Sequence, residues 1–348
     1  MIRFPKPLRA GDRVAATAPS SGVSGPDLVR LDLVLSHMRN KGFGIVEGAC
    51  LRAQYKDSSA PLDHRAAELN RFLLDPTIAA ILPPWGGELA SELLELIDFE
   101  TLRSVEPKWL LGYSDLTTLQ FPLTLISGWA TAHGPNLMDL APSQTDPLTS
   151  SALTVLGADL AETVTQRSST KFQRTWIDYA KSAAAPFNVT ERVEWKRLDG
   201  SKEPVAFQGR IIGSCLGTIA WLAGSKYGDV PQFDRESGTV GTILYFENAE
   251  MGPPTLLRAL LSLRRHRWFD GLVGLLIGRS AGPAPKSAAS LSYTDALRAA
   301  LEDLPFPVIY DVDIGHQPPQ FTIINGAVAR VLFDNGRGTL LQSKATLN

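Results

Sequence analysis

At 348 residues, with 44% hydrophobic and 20% charged side chains, the chain has the make-up of a globular protein with sizeable cores, and its length reads most naturally as two domains. Its 34 basic and 36 acidic residues leave a net charge of −2, which argues against nucleic acid or an anionic membrane as a partner. The two cysteines, Cys50 and Cys215, form no CxxC pair, disulfide framework or zinc spacing. No apolar run approaches the length of a membrane span and the N-terminal stretch lacks the apolar core of a signal peptide, so a cytoplasmic location is the expectation.

In chain order, Arg13 to Pro19 reads as a first strand, with Ser20, Ser21 and Gly22 at its carboxyl end. A helix follows from Pro26 to Lys41, with Leu28, Leu31, Val34, Leu35 and Met38 on one face. Gly44 to Ala49 is a second strand, Asp63 to Leu74 a helix stopped by Asp75-Pro76, and Ile78 to Leu82 a third strand stopped by Pro83-Pro84. A turn at Trp85-Gly86-Gly87-Glu88 leads into a helix from Leu89 to Ile97. Trp109 to Gly112 is a short buried strand; the run Leu116 to Ile126 has amphipathic helical spacing, and Ala130 to His133 is a further strand. Strand and helix alternate, which predicts an open, doubly wound, mostly parallel α/β sheet of Rossmann-like type. Ligands in such sheets sit at the carboxyl ends of strands, where Ser20, Gly86-Gly87, Ser114 and His133-Gly134-Pro135 all fall.

From about Asn136 the pattern weakens. Residues 166–206 read as a linker and a partly irregular excursion in which Trp176 and Trp195 stand alone among polar neighbours. A second, smaller α/β pattern starts near Phe207. Its strands are Gly209 to Gly213, Gly241 to Glu247, Gly271 to Gly278 and Pro307 to Tyr310, its helices lie near 216–223, 255–267 and 293–304, and two closing strands follow near 326–333 and 338–341. The expected division is 1–165 for an N-terminal domain, 166–206 for the excursion and 207–348 for a C-terminal domain.

Ser114 sits at the strand-to-helix turn of Gly112-Tyr113-Ser114-Asp115-Leu116. Hydrolases mount a nucleophilic serine at such a turn, where the hydroxyl stands clear of the sheet and the next backbone N–H faces an oxyanion. The second glycine of the usual elbow pattern is Leu116 here, and a serine at a helix start is also a preferred N-cap. Glu247 closes an apolar strand, the place of either a catalytic carboxylate or the first solvated residue. His316 lies in a loop between Gly315 and Pro318-Pro319, which suits a base better than a core histidine. His37, His64 and His266 sit in or beside helices and are weaker candidates, while His133 is placed to shape the first domain's site. Glycine at 86 and 87 lets backbone approach a ligand, so Gly87 can join Asp115 in offering an oxyanion N–H. The order Ser114, Glu247, His316 matches the serine, acid, histidine order of some hydrolases.

Together these residues resemble the LD-carboxypeptidase family of serine peptidases, which includes the microcin C self-immunity proteins. The resemblance is carried by Leu8 to Val14 with Ala18-Pro19-Ser20, by Gly86-Gly87 with Leu93-Leu94 and Asp98, by Gly112 to Thr117, by His133-Gly134-Pro135 and by Gly315-His316 with Pro318 or Pro319. It implies Ser114 as nucleophile, His316 as base and Glu247 as orienting acid, with no metal or other cofactor. It implies two α/β domains with the active site between them, and a homodimer. The length, the tryptophan-bearing excursion and the run Leu244 to Glu250 look more like the microcin immunity branch, which cuts an amide joining an aspartyl group to a nucleotide-like phosphoramidate. On that reading the substrate is a small peptide or aminoacyl-nucleotide-like molecule, and Gly86, Glu88, Trp176 and Trp195 are candidates for binding it. The chain departs from the family at Gly213-Ser214-Cys215-Leu216, where Gly-Gly-Asn-Leu is frequent, and at Glu88, where Tyr is frequent. The alternatives are a muramoyltetrapeptide LD-carboxypeptidase acting on murein peptides and, from another class, a non-catalytic small-molecule binding protein. A nucleotide-dependent enzyme ranks last, because no glycine-rich phosphate loop follows the first strand.

Overall fold

The computed structural model describes residues 2–345 and 347. The chain divides into two compact units. The first runs from the N-terminus to Asp159 and includes Thr175–Asn188 and Phe321–Asn325; the second comprises Leu160–Arg174, Val189–Gln320 and the chain from Gly326 on. No helix among the described residues is long and apolar enough to cross a membrane.

The first unit is built on strands β1 (Arg13–Ala16), β2 (Gly44–Glu47), β3 (Ile78–Ile81), β4 (Trp109–Gly112) and β5 (Thr131–His133). They run parallel in the order β5-β4-β3-β1-β2, and the strand Ile323–Asn325 adds an antiparallel edge against β5. That edge strand draws Phe321–Asn325 away from the second pattern, where the sequence suggests it, because it completes the hydrogen bonding of β5. Helices α1 (Leu28–Asn40) and α2 (Leu62–Leu74) form as their apolar spacing dictates: Leu31, Val34, Leu35 and Met38 of α1, and Ala66, Leu69, Phe72 and Leu73 of α2, are buried. The strand order reverses between β1 and β3, and such a switch point opens a crevice at the carboxyl ends of the strands. Ser20 follows β1, Gly86-Gly87 follow β3 and Ser114 follows β4 at that edge.

Two local expectations change. The stretch after Gly87 winds as a 3-10 helix, Ala90–Leu96, and the helix Thr117–Leu125 is buried from Thr117 through Thr124 rather than amphipathic. Its polar residue Gln120 is accommodated because its amide donates to the carbonyls of Leu110, Gly112 and Ala132, at 3.2, 3.0 and 2.8 Å, tying the ends of β4 and β5 together.

The second unit carries an eight-stranded mixed sheet. Its centre is four parallel strands, Val205–Cys215, Thr242–Glu247, Leu272–Gly278 and Val308–Val312, flanked by the antiparallel hairpin of Val328–Asp334 and Arg337–Ser343. Part of the expected irregular excursion is ordered here. Val164–Arg167 and Lys196–Arg197 form the two sheet edges, and Lys171–Phe172 pairs with Glu191–Arg192 as a small ribbon.

Candidate active site

The serine half lies in the first unit. Strand β4 is buried throughout, Tyr113 leaves it in extended conformation, and Ser114 turns into the left-handed region at φ 66° before the 3-10 turn Ser114–Leu116 and the helix Thr117–Leu125. A capping serine takes extended φ, and here that position belongs to Tyr113. Ser114 instead holds a conformation that costs a non-glycine residue about 1–2 kcal/mol and that persists only where neighbours enforce it. The neighbours are specific. Asn136 Oδ1 accepts the N–H of Tyr113 at 3.0 Å, and Thr117 Oγ1 donates to the Ser114 carbonyl at 2.6 Å. The buried Asp115 carboxylate accepts from Ser20 Oγ at 2.5 Å, from Ala90 N–H at 2.8 Å and from Thr118 Oγ1 at 3.3 Å. Asp115 thus fastens the loops after β1 and β3 to the elbow, while its own backbone N–H stands one residue past Ser114.

Gly86 packs so closely that a Cβ there would lie 2.6 Å from Ser114 Cβ and 2.9 Å from Asp115 N. Gly87 has φ 146°, and a side chain there would run into the hydroxyls of Ser20 and Ser21. The next residue, Glu88, is exposed. His133, fully buried at the end of β5, meets the Tyr113 ring edge-on with centroids 6.3 Å apart. Trp176 belongs to the Thr175–Asn188 segment of this unit, 43% exposed and edge-to-face with Phe187. Buried Arg30 holds that segment: its guanidinium stacks on Tyr179 at 3.5 Å and donates to the carbonyls of Ala183 and Ala185.

The acid and base half lies in the second unit. Glu247 ends the wholly buried strand Thr242–Glu247 with no exposed surface. His316 Nδ1 sits 3.0 and 2.9 Å from the two Glu247 oxygens, and the imidazole keeps 18% of its side chain exposed. A carboxylate holding Nδ1–H leaves the lone pair on Nε2, the tautomer a general base needs. Gly315 has φ 89°, and a Cβ there would meet the Glu247 side chain, with Oε2 at 2.5 Å, so the pair requires glycine next to the histidine.

The loop bearing His316 is braced by Arg279, 3% exposed, whose Nη2 donates to the carbonyls of Gln317 and Pro319, both at 2.6 Å. Arg279 also pairs with fully buried Asp313 at 3.0 Å. The other Asp313 oxygen accepts the Trp195 indole N–H at 2.8 Å. Trp195 is 1% exposed, so its ring is an anchor for this brace and offers no face for a substrate to stack on; that corrects its expected part in binding. Cys215, Glu247 and His316 are the three metal-ligand-type side chains that converge among the described residues, with their ligand atoms within 4.8 Å of one another.

Profiles of the LD-carboxypeptidase N-terminal and C-terminal domains match residues 14–134 and 208–331, together more than half of the chain. The chain belongs to the LD-carboxypeptidase family. This family member is therefore a serine peptidase, and both branches of the family stand among its relatives. It is 25% identical to the microcin C7 self-immunity protein MccF of Escherichia coli over 94% of this chain and 93% of that one. It is 27% identical, over 93% of this chain and 90% of the other, to a Bacillus subtilis protein named "Probable murein peptide carboxypeptidase". A solved structure of MccF in complex with aspartyl sulfamoyl adenosine superposes with a TM-score of 0.83 at 22% identity, covering 99% of this chain and 100% of that one, a likeness of fold.

Sequence reasoning passed over three residues of this family member that hold the candidate groups: Asn136, Arg279 and Asp313. Asn136 follows the noted His133-Gly134-Pro135 run, and Arg279 and Asp313 each stand one residue past an apolar strand. That strand-end position is the one signal that could have found them.

Proposed function

We propose that the chain hydrolyses an amide bond with Ser114 as nucleophile, His316 as general base and Glu247 as the acid that orients the base. The observation that carries this reading is the backbone of Ser114: a left-handed serine between a buried strand and a helix, enforced by Asn136 and Asp115, is what mounting a nucleophile demands and capping a helix does not. The His316–Glu247 pair supports it, since a serine is nucleophilic near neutral pH only beside an oriented base. In this reading His316 takes the Ser114 proton as the hydroxyl attacks the amide carbon, the backbone N–H groups of Asp115 and Gly87 hold the oxyanion, and His316 returns the proton to the leaving amine. Water then repeats the cycle on the acyl-enzyme. Gly87 is a poor probe of the oxyanion role, because any side chain there meets Ser20 and Ser21 and costs stability along with rate.

For the substrate we infer an aminoacyl-nucleotide-like amide of the immunity type. Its support is Trp176, a large exposed ring presented by a segment that Arg30 holds in place. A murein tetrapeptide is the second reading, favoured by the murein-type relative. Hydrolysis of the two substrates side by side by the wild-type chain tests the choice. Turnover of the tetrapeptide alone would replace the first reading with the second. A homodimer is the state the resemblance implies, and sedimentation of the purified chain tests it.

A further inference from the structure

We propose that Cys215 is a positioning residue for Glu247, a second side-chain donor that fixes the carboxylate on which His316 turns. The proposal rests on the reading of Glu247 as the acid that orients the base. The strands Val205–Cys215 and Thr242–Glu247 are parallel neighbours, and their register sets Cys215 directly beside Glu247 as the last residue of each. Both are buried, at 3% and 0% exposure, and Cys215 Sγ lies within 4.8 Å of a Glu247 carboxylate oxygen, with that carboxylate as the acceptor its thiol faces. The same sulfur faces the backbone N–H groups of Gly217 and Thr218 at the start of the helix Leu216–Leu222, so it can accept from the helix end while its proton goes to Glu247.

A buried carboxylate carries about four acceptor sites and is costly when they are left unmet. His316 Nδ1 sits nearly equidistant from the two oxygens, so a donor from the adjacent strand adds a preference for one orientation of the carboxylate plane. Burial first, and then the neighbouring Glu247 charge, push the Cys215 thiol well above its ordinary range, so it keeps its proton and stays a donor. By drawing on the Glu247 charge, the thiol also moderates how strongly the acid holds a proton on His316.

The test is the rate at which a fluorophosphonate modifies the full-length protein, followed against pH for wild type, Cys215→Ser, Cys215→Ala and Cys215→Val, with melting temperature alongside. The probe reports Ser114 activated by His316 and needs no natural substrate. Cys215→Ala and Cys215→Val should each react about tenfold more slowly, the order of effect of one hydrogen bond to a charged group. Their acidic limb should move to higher pH, because an unmoderated Glu247 keeps His316 protonated further up the scale. Cys215→Ser, which retains an O–H donor, should keep the rate and the limb close to wild type. Cys215→Val preserves bulk, which separates loss of the donor from loss of packing. Unchanged rate and limb in both donorless variants, or a well-folded Cys215→Ser that behaves like Cys215→Ala, would overturn the proposal. If wild type itself reacts no faster than Ser114→Ala, the hydrolase reading fails instead, whatever the cysteine variants do.

Discussion

The elbow around Ser114 and the pair of Glu247 and His316 are built by opposite means. In the first, the backbone does the placing: a serine at φ 66°, a glycine packed against its Cβ, and side chains such as Asn136 and Asp115 spent on backbone groups and loop hydroxyls. In the second, a left-handed Gly315 clears the Glu247 side chain, and placement comes mainly from charges out of water: a fully buried Glu247, the imidazole on it, and the Arg279–Asp313 pair bracing the loop. A hydroxyl has to be lifted to a point, which steric constraint does well. A base has to be turned and tuned, which takes a neighbouring charge. The elbow should therefore fail first on added carbon at Gly86, and the pair first on loss of the Glu247 charge.

The largest effect expected is on catalysis by the two reacting groups. Ser114→Ala and His316→Ala should each lower kcat by about four to six orders of magnitude, and the double variant should be little worse than either, since groups acting as one unit are not additive. Additive losses in single-turnover assays would break the link between the halves. Glu247→Gln keeps the shape and removes the charge, and should cost about three to four orders in kcat through the wrong imidazole tautomer; a loss below tenfold would leave the acid without a role.

Next comes stability. Arg279→Met strands Asp313 as an unpaired buried charge, and should lower the unfolding free energy by about 3–5 kcal/mol in urea titrations. A variant as stable as wild type would show that the brace is ornamental. The tryptophans separate binding from scaffolding. Trp176→Ala should raise KM by about one to two decades for a nucleotide-bearing substrate and spare one without a ring. Trp195→Ala should instead destabilise the fold by about 3–5 kcal/mol and affect both substrates alike. The smallest effect belongs to the elbow strain: Ser114→Gly should be inactive yet melt no lower than wild type, with a gain of up to about 1 kcal/mol from relief of the left-handed serine.

Much of this was legible in the chain because short-range rules govern it. The strands of both units announce themselves as apolar runs with turn residues at their ends, and Glu247 at such an end, Ser114 two residues past one and His316 in the loop after one stand out as polar residues there. What stayed hidden depends on partners far away in sequence. The edge strand Ile323–Asn325 is three residues long and becomes a strand only by pairing with β5. The helix Thr117–Leu125 keeps the polar pattern of a surface helix, yet Gln120 is buried on the carbonyls of two strand ends. Trp195 has polar neighbours and looks exposed, but an aspartate 118 positions later captures its N–H. Arg279 gives no local hint that its guanidinium will grip the loop of His316.

The central claim, that Ser114 is a nucleophile activated by His316, is tested most directly by treating the folded protein with a fluorophosphonate and locating the adduct by peptide mass spectrometry. The account predicts a single adduct, on Ser114, absent in Ser114→Ala and formed far more slowly in His316→Ala. No adduct on a well-folded wild-type chain, or an adduct on another residue that survives Ser114→Ala, would contradict it.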